Sequence, residues 1–228
     1  MTTVTAPVTP RERVVRLAAG HIAALQRGYL EDRPHAVAAL ARLRRGAGRE
    51  AGQLPDLWAL IDTGPLHQTP DGARPLSENE LIRAEDALHV ALTLYALHQQ
   101  SRSTGMYQAD RPGRRRGLGA AVRRMMKPGE IDEPVHKRLV RAGTSPDLAV
   151  LAQRLRDIVV LLRREGIELD HAQLAGQLYA WQWPGGADTV RREWGRSFHA
   201  WHDKPTDGTS SSASSDTTST TETDKDAS

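Results

Sequence analysis

The chain has 228 residues, and its 31 Lys and Arg against 28 Asp and Glu give a formal net charge of only +3. It contains no cysteine, which removes disulfides, thiolate nucleophiles, zinc knuckles and iron–sulfur clusters together and suits a reducing cytosol. The polar start, Met1 to Pro10, lacks the apolar core of a secretory signal, and Leu88 to Leu97 falls short of the ~18 apolar residues a membrane span needs.

In chain order, Thr9-Pro10-Arg11-Glu12 reads as a capping box opening a first helix, along which Val14, Leu17, Ala18, His21, Leu25 and Tyr29 share one face. Pro34 to Arg44 predicts a second, shorter helix. Gly- and Pro-rich sequence from Asp62 to Leu76 reads as a loose segment. Ser77-Glu78-Asn79-Glu80 repeats the box and opens a helix carrying Leu81, Ala84, Leu88, Ala91, Leu92 and Tyr95 on one side. A second loose segment, Ser101 to Gly117, is rich in Gly and Arg. Helices follow at Leu118 to Met126 and Pro134 to Ala142. Ser145-Pro146 reads as a cap with a first-turn proline, ahead of the stripe Leu148, Leu151, Ala152, Leu155, Ile158, Val159 and Leu162. With Val150, Val160 and Leu161 outside that stripe, this helix is expected to be the most buried. Asp170 with Gln173 starts a helix to Trp181, and Asp188 to Trp201 forms the last. No run alternates apolar and polar with branched or aromatic enrichment, so the expected fold is all-α. The organisation expected is a disordered lead over residues 1–9, an N-terminal helical bundle over 10–105, a C-terminal bundle with a basic face over 106–202, and a disordered tail over 203–228.

That tail holds 14 Ser or Thr in its last 23 positions, too few apolar groups to offset the entropy of ordering. From Asp203 onward six acids face two bases, leaving residues 1–202 with a net charge of +7. The window Arg111 to Arg141 alone carries ten bases and three acids, also net +7. Within it, Lys137, Arg138 and Arg141 fall in an arc of about 100° on one helix. Repelling cations on one face suit a polyanion, and the guanidinium fork matches two phosphate oxygens; the bland reading is a solvated surface with scattered carboxylates. A second focus, Arg42, Arg44, Arg45 and Arg49, ends the Pro34 helix. Part of it is explained by the negative end of the helix dipole, and Gly46 and Gly48 would let a strand's backbone approach closely. Six of the ten aromatic residues lie between Tyr179 and Trp201. Trp194, Phe198 and Trp201 have core spacing, which favours packing over base stacking.

No Gly-rich phosphate loop, zinc-helix motif or nucleophile elbow is present. The nine histidines are dispersed. His199 and His202 lack a third ligand, His21 sits on an apolar face, and Glu85 and Asp86 point in different helical directions. The residues assemble no enzyme and call for no cofactor.

Several stretches together resemble a known family: Ala41-Arg42-Leu43-Arg44-Arg45-Gly46, Pro55 to Ile61 with Trp58, Leu88 to His98, and Gly117-Leu118-Gly119 followed by Arg123-Arg124. Arg138-Leu139-Val140-Arg141-Ala142, Leu151-Ala152-Gln153-Arg154-Leu155 and Trp181-Gln182-Trp183 extend the likeness over about residues 10–202. The chain resembles the CasB family, the small subunit of the type I-E CRISPR surveillance complex, Cascade. The resemblance implies a non-catalytic, cytoplasmic, all-helical subunit, present as two copies beside other Cascade subunits and guide RNA. Such a subunit stabilises the R-loop, holding target DNA and especially the displaced strand. By the same resemblance Arg44 and Arg45, Arg123 and Arg124, Lys137, Arg138 and Arg141, and Arg154 are the nucleic-acid-binding residues. The acidic tail and the loop at Asp62 to Leu76 lie outside the likeness. Two other readings stand beside it: a free-standing helical DNA-binding regulator using the Pro134 helix for recognition, and a nuclease using His and carboxylates.

Overall fold

A computed structural model of the chain describes residues 8–69 and 73–200. Residues 1–7 of the expected lead, Trp201, His202 and the tail over 203–228 lie outside the described residues. Among those described there are nine α-helices: α1 (Pro10–Leu30), α2 (Pro34–Leu43), α3 (Gly64–His67), α4 (Glu78–Gln99), α5 (Leu118–Arg124), α6 (Glu133–Gly143), α7 (Leu148–Glu165), α8 (His171–Trp181) and α9 (Gly186–His199). Short 3-10 turns occupy Arg44–Gly46, Ala51–Gln53 and Pro55–Leu60. No strand forms among these residues, and the two isolated backbone bridges join Tyr107 to Leu169 and Arg111 to Arg114. The fold is all-α.

The caps show why the helices begin where they do. Thr9 Oγ1 accepts the Glu12 N–H at 3.2 Å while Glu12 accepts the Thr9 N–H at 2.8 Å, so each side chain satisfies a backbone donor that the first turn leaves open. The Ser77 N–H and hydroxyl both donate to Glu80, at 2.8 and 2.9 Å. The expected start at Ser145 is displaced. Asp147 is the cap of α7, accepting from the Val150 N–H at 2.8 Å, a charge-assisted bond of the kind a carboxylate makes to backbone donors at a helix start. Ser145 instead donates to the Ala142 carbonyl at 2.9 Å, closing the end of α6. Asp170 accepts from the Gln173 N–H at 2.8 Å, and its own N–H donates to the Arg116 carbonyl.

The expectation that α7 is the most buried helix is not met; α4 buries more residues. Every residue from Ala87 to Gln99 is buried, because α1, α2, α7 and α8 pack around it, whereas α7 buries one stripe, Leu151, Ala152, Leu155, Ile158, Val159 and Leu162. The polar residues of α4 tolerate this by internal bonding. Thr93 Oγ1 donates to the His89 carbonyl at 2.7 Å. Gln99 Nε2 donates to the Thr104 carbonyl at 2.9 Å, and Gln99 Oε1 accepts from the Met106 N–H at 2.9 Å. Helix α8 packs against both α1 and α4, and a single cluster of buried side chains draws on residues from Val14 to Phe198. In it Trp194 and Phe198 are core residues, as their spacing predicts, and Trp194 stacks on Trp181 with ring centroids 5.7 Å apart. His21 is half-buried and hydrogen-bonded to the Asp62 carbonyl at 2.9 Å.

At the α4–α8 contact, His98 Nδ1 and His171 Nε2 lie 2.9 Å apart, both side chains fully buried, with Tyr95 edge-on to His171. Burial pushes His98 down to about 3 and His171 well below the ordinary imidazole range, the neighbouring His98 adding to the second effect. Both rings are therefore neutral in the folded chain and take up protons only on unfolding. Groups with depressed folded pKa values of this kind give stability that is complete above the unfolded value, ~6.5, and lost as pH falls below it. Two such protons predict a loss of about 2.7 kcal/mol per pH unit below pH ~6. Urea unfolding at pH 6.5, 5.5 and 5.0 measures it; a midpoint that stays constant over that range contradicts a neutral pair.

Candidate nucleic-acid interface

The two basic foci reach different surroundings. At the end of α2 the chain tightens into the 3-10 turn Arg44–Gly46, leaving Arg44 and Arg45 exposed. Arg45 is 60% exposed and lies 3.4 Å from the Asp56 carboxylate, a surface pair of the kind worth ~0–1 kcal/mol. Gly48 follows with φ +81°, a left-handed conformation that favours glycine, and turns the chain toward α7. A Cβ there would sit 3.1 Å from Arg156 Cδ. Arg44, Arg45 and Arg49 thereby face Gln153, Arg156 and Asp157 of α7 across an open, polar groove of about 650 Å³. Four guanidiniums against one carboxylate make its walls strongly positive. Gly46 does not serve a strand's approach as expected: it is buried, and a Cβ on it would come within 2.8 Å of Leu57 and Thr93 side chains, so its smallness serves packing under the turn.

Helix α6 carries the second focus. Asp132 caps it, accepting from the Val135 N–H at 3.0 Å, and Leu139 and Ala142 bury its inner side. Lys137, Arg138 and Arg141 are then left exposed, beside Val140, which is 47% exposed. Among the described residues Lys137 pairs with Glu133 alone, at 3.9 Å. Arg154 belongs to α7 yet reaches back, its Nη1 donating to the Arg141 carbonyl and to Ser145 Oγ at 3.2 Å. A cation at those last carbonyls complements the negative end of the α6 dipole. Arg156, two residues on and about 200° around the α7 axis, points instead into the groove, so α7 carries one cation toward α6 and another toward the groove.

The middle of the +7 window points inward. Arg123 is buried, donating to the Lys127 carbonyl at 3.1 Å. Arg124 is paired with Glu168 at 2.8 Å, and Arg116, also buried, lies 3.6 Å from the same carboxylate. Burial works against the Glu168 carboxylate, but the Arg124 hydrogen bond, a backbone bond and both guanidinium charges hold it below the usual range. Asp110 accepts from the Gly117 N–H at 3.1 Å and pairs with Arg115 at 3.2 Å, while Asp170 accepts the Asp110 N–H at 2.7 Å. These carboxylates fasten the Arg-rich segment to the fold. Of the eight arginines and lysines expected at the site, Arg44, Arg45, Lys137, Arg138 and Arg141 are exposed, Arg154 is half-buried as a cap, and Arg123 and Arg124 are held inside.

Sequence reasoning missed Arg156 as a site residue and Arg49 as its partner across the groove. The available signal was positional: Arg156 lies off the apolar stripe of α7, and a glycine with positive φ at 48 turns the Arg49 region onto it.

The chain matches the family model described as CRISPR-associated protein Cse2 over residues 39–199. It is similar to the crystal structure of CasB from Thermobifida fusca, with 48% sequence identity and a TM-score of 0.72, over 82% of this chain and 98% of that one. A chain of a structure described as a CRISPR RNA-guided surveillance complex shares the fold at 20% identity, with a TM-score of 0.58, over 82% of this chain and 93% of that one. No curated protein matches. With the family model covering most of the chain and nearly half of all aligned residues shared with a solved relative, this protein belongs to the CRISPR-associated Cse2 (CasB) family.

Proposed function

We propose that this chain is a non-catalytic, nucleic-acid-binding subunit of a cytoplasmic Cascade ribonucleoprotein, where it stabilises the R-loop by holding target and displaced strands on its basic surface. Its partners are the other Cascade subunits, the guide RNA, the target DNA and a second copy of itself. The observation that carries the reading is the groove in which Arg44, Arg45, Arg49 and Arg156 converge, beside which α6 leaves Lys137, Arg138 and Arg141 exposed. A complex that opens any matched sequence must grip phosphates rather than base edges. R-loop formation is nearly balanced in pairing energy, so a few backbone contacts tip it. Arg123, Arg124 and Arg154 act in this scheme by fixing the segments that display the exposed cations.

The test is reconstitution with the remaining subunits and a guide RNA. Arg138→Glu combined with Arg141→Glu is expected to shorten target-DNA retention about tenfold, since two phosphate contacts become two repulsions, with an unchanged helical circular-dichroism spectrum. Retention equal to the parent chain removes α6 from the interface. Sequence-dependent duplex binding by the isolated chain would favour the regulator reading instead, and metal-dependent strand cleavage the nuclease.

A further inference from the structure

A second surface has the opposite character. Trp58, Ile61 and Ile82 line a cavity of about 400 Å³ together with Glu85, Asp86 and His89. Trp58 is 63% exposed and Ile82 48%, and the indole N–H donates to the Ala51 carbonyl at 3.4 Å, which fixes the ring at the rim. Asp86 makes no hydrogen bond or ion pair among the described residues, although it is half-buried. Among the same residues Glu85 has only the Thr63 hydroxyl at 3.4 Å and His67 at 3.9 Å. Burial, and behind it the charges of Glu85 and Glu50, raises the Asp86 carboxyl above its ordinary value, the expected result of placing a carboxyl there with no hydrogen-bonding or ion-pair partner among the described residues.

Phosphate is repelled from such a place, which separates it from the basic groove. A tethered, exposed indole beside an aliphatic side chain has the make-up of an interface anchor. An unpaired carboxylate at its back calls for a cation. Arginine satisfies both: its planar guanidinium stacks on an indole and forks onto a carboxylate. We propose that the Trp58 cavity is a docking site for a partner polypeptide that presents an arginine next to an aliphatic residue, the guanidinium meeting Asp86 and Glu85 and the aliphatic group covering Trp58 and Ile82.

The probe is the peptide acetyl-Gly-Ile-Arg-Gly-amide, titrated into the full chain and followed by the Trp58 indole resonance and the Gly52 and Asp86 amide resonances. Saturable shifts confined to these groups are expected. Binding should weaken at least tenfold when citrulline, which keeps the shape and loses the charge, replaces arginine. It should weaken equally in Asp86→Asn, which is isosteric, and in Trp58→Ala, which removes an exposed ring. Absence of localised shifts, or equal binding of the citrulline peptide, overturns the proposal. Free arginine binding as tightly as the peptide would make the cavity a small-molecule site and overturn it too. Self-association of the free chain that Asp86→Lys abolishes in sedimentation would give the cavity to a second copy, which likewise overturns it.

Discussion

Arg45→Glu combined with Arg156→Glu lowers target-DNA retention by the reconstituted complex by about tenfold or more at 0.15 M salt. Each single-strand phosphate contact contributes about 0.7 to the slope of log affinity against log salt, so losing two reduces that slope by about 1.4. The two residues stand on opposite walls of one groove, and Arg45 has only a weak, exposed partner in Asp56 to lose. Stability should therefore be nearly unchanged, as is usual for surface positions. Retention half-times at four salt concentrations give both the loss and the slope. Arg192→Glu, an exposed cation on α9 away from the groove lining, is the matched control and should leave both in place. A slope equal to that of the parent chain removes the groove from the DNA path.

Gly119→Ala is expected to be strongly damaging for a change of a single methyl group. Helix α5 crosses α9 so closely that a Cβ on Gly119 would overlap the Trp194 carbonyl oxygen and stand 2.7 Å from the Phe198 backbone nitrogen. Both obstacles are main chain, so no side chain can swing away. The helices must separate instead, opening the layer in which Trp181, Trp194 and Phe198 are buried. Overpacking of this kind costs about 3 kcal/mol, which for a chain of this size lowers the melting temperature by roughly 6 to 12 °C. Gly20→Ala supplies the contrast. That position is in the middle of α1, and a Cβ there meets nothing within 4 Å; the change should stabilise by about 0.5 to 1 kcal/mol through helix propensity. If both variants melt alike, the close crossing of α5 and α9 is not what glycine at 119 serves.

Helix positions were legible because caps and periodicity are local. Thr9, Ser77 and Asp170 lie within three residues of the groups they satisfy, and the aromatic spacing of α9 declares its inner side before any partner is known. Burial order was less legible. The stripe on α7 looks more apolar than α4, whose Thr93, His98 and Gln99 read as surface residues until their bonds to His89, His171 and Thr104 are seen. The charge window was the most misleading feature for the same reason. Its inner cations Arg116 and Arg124 are matched by a carboxylate that lies outside it in sequence, Glu168, more than forty positions beyond Arg124. A local sum of charge cannot register a partner that folding brings from elsewhere, and it equally overlooks Arg156, brought by folding to Arg49.

The place of α8 governs when the protein can exist at all. Its residues, 171–181, pack against both α1 and α4, so until they are synthesised the sides of those two long helices that α8 covers stay open, whatever α2 and α7 already cover. Contacts between segments about 150 residues apart close late and slowly. During translation the first hundred residues leave the ribosome with apolar surface still open, the condition that recruits chaperones and favours misassembly. Truncation upstream of His171 would therefore yield an aggregating fragment rather than a smaller, folded version of the protein.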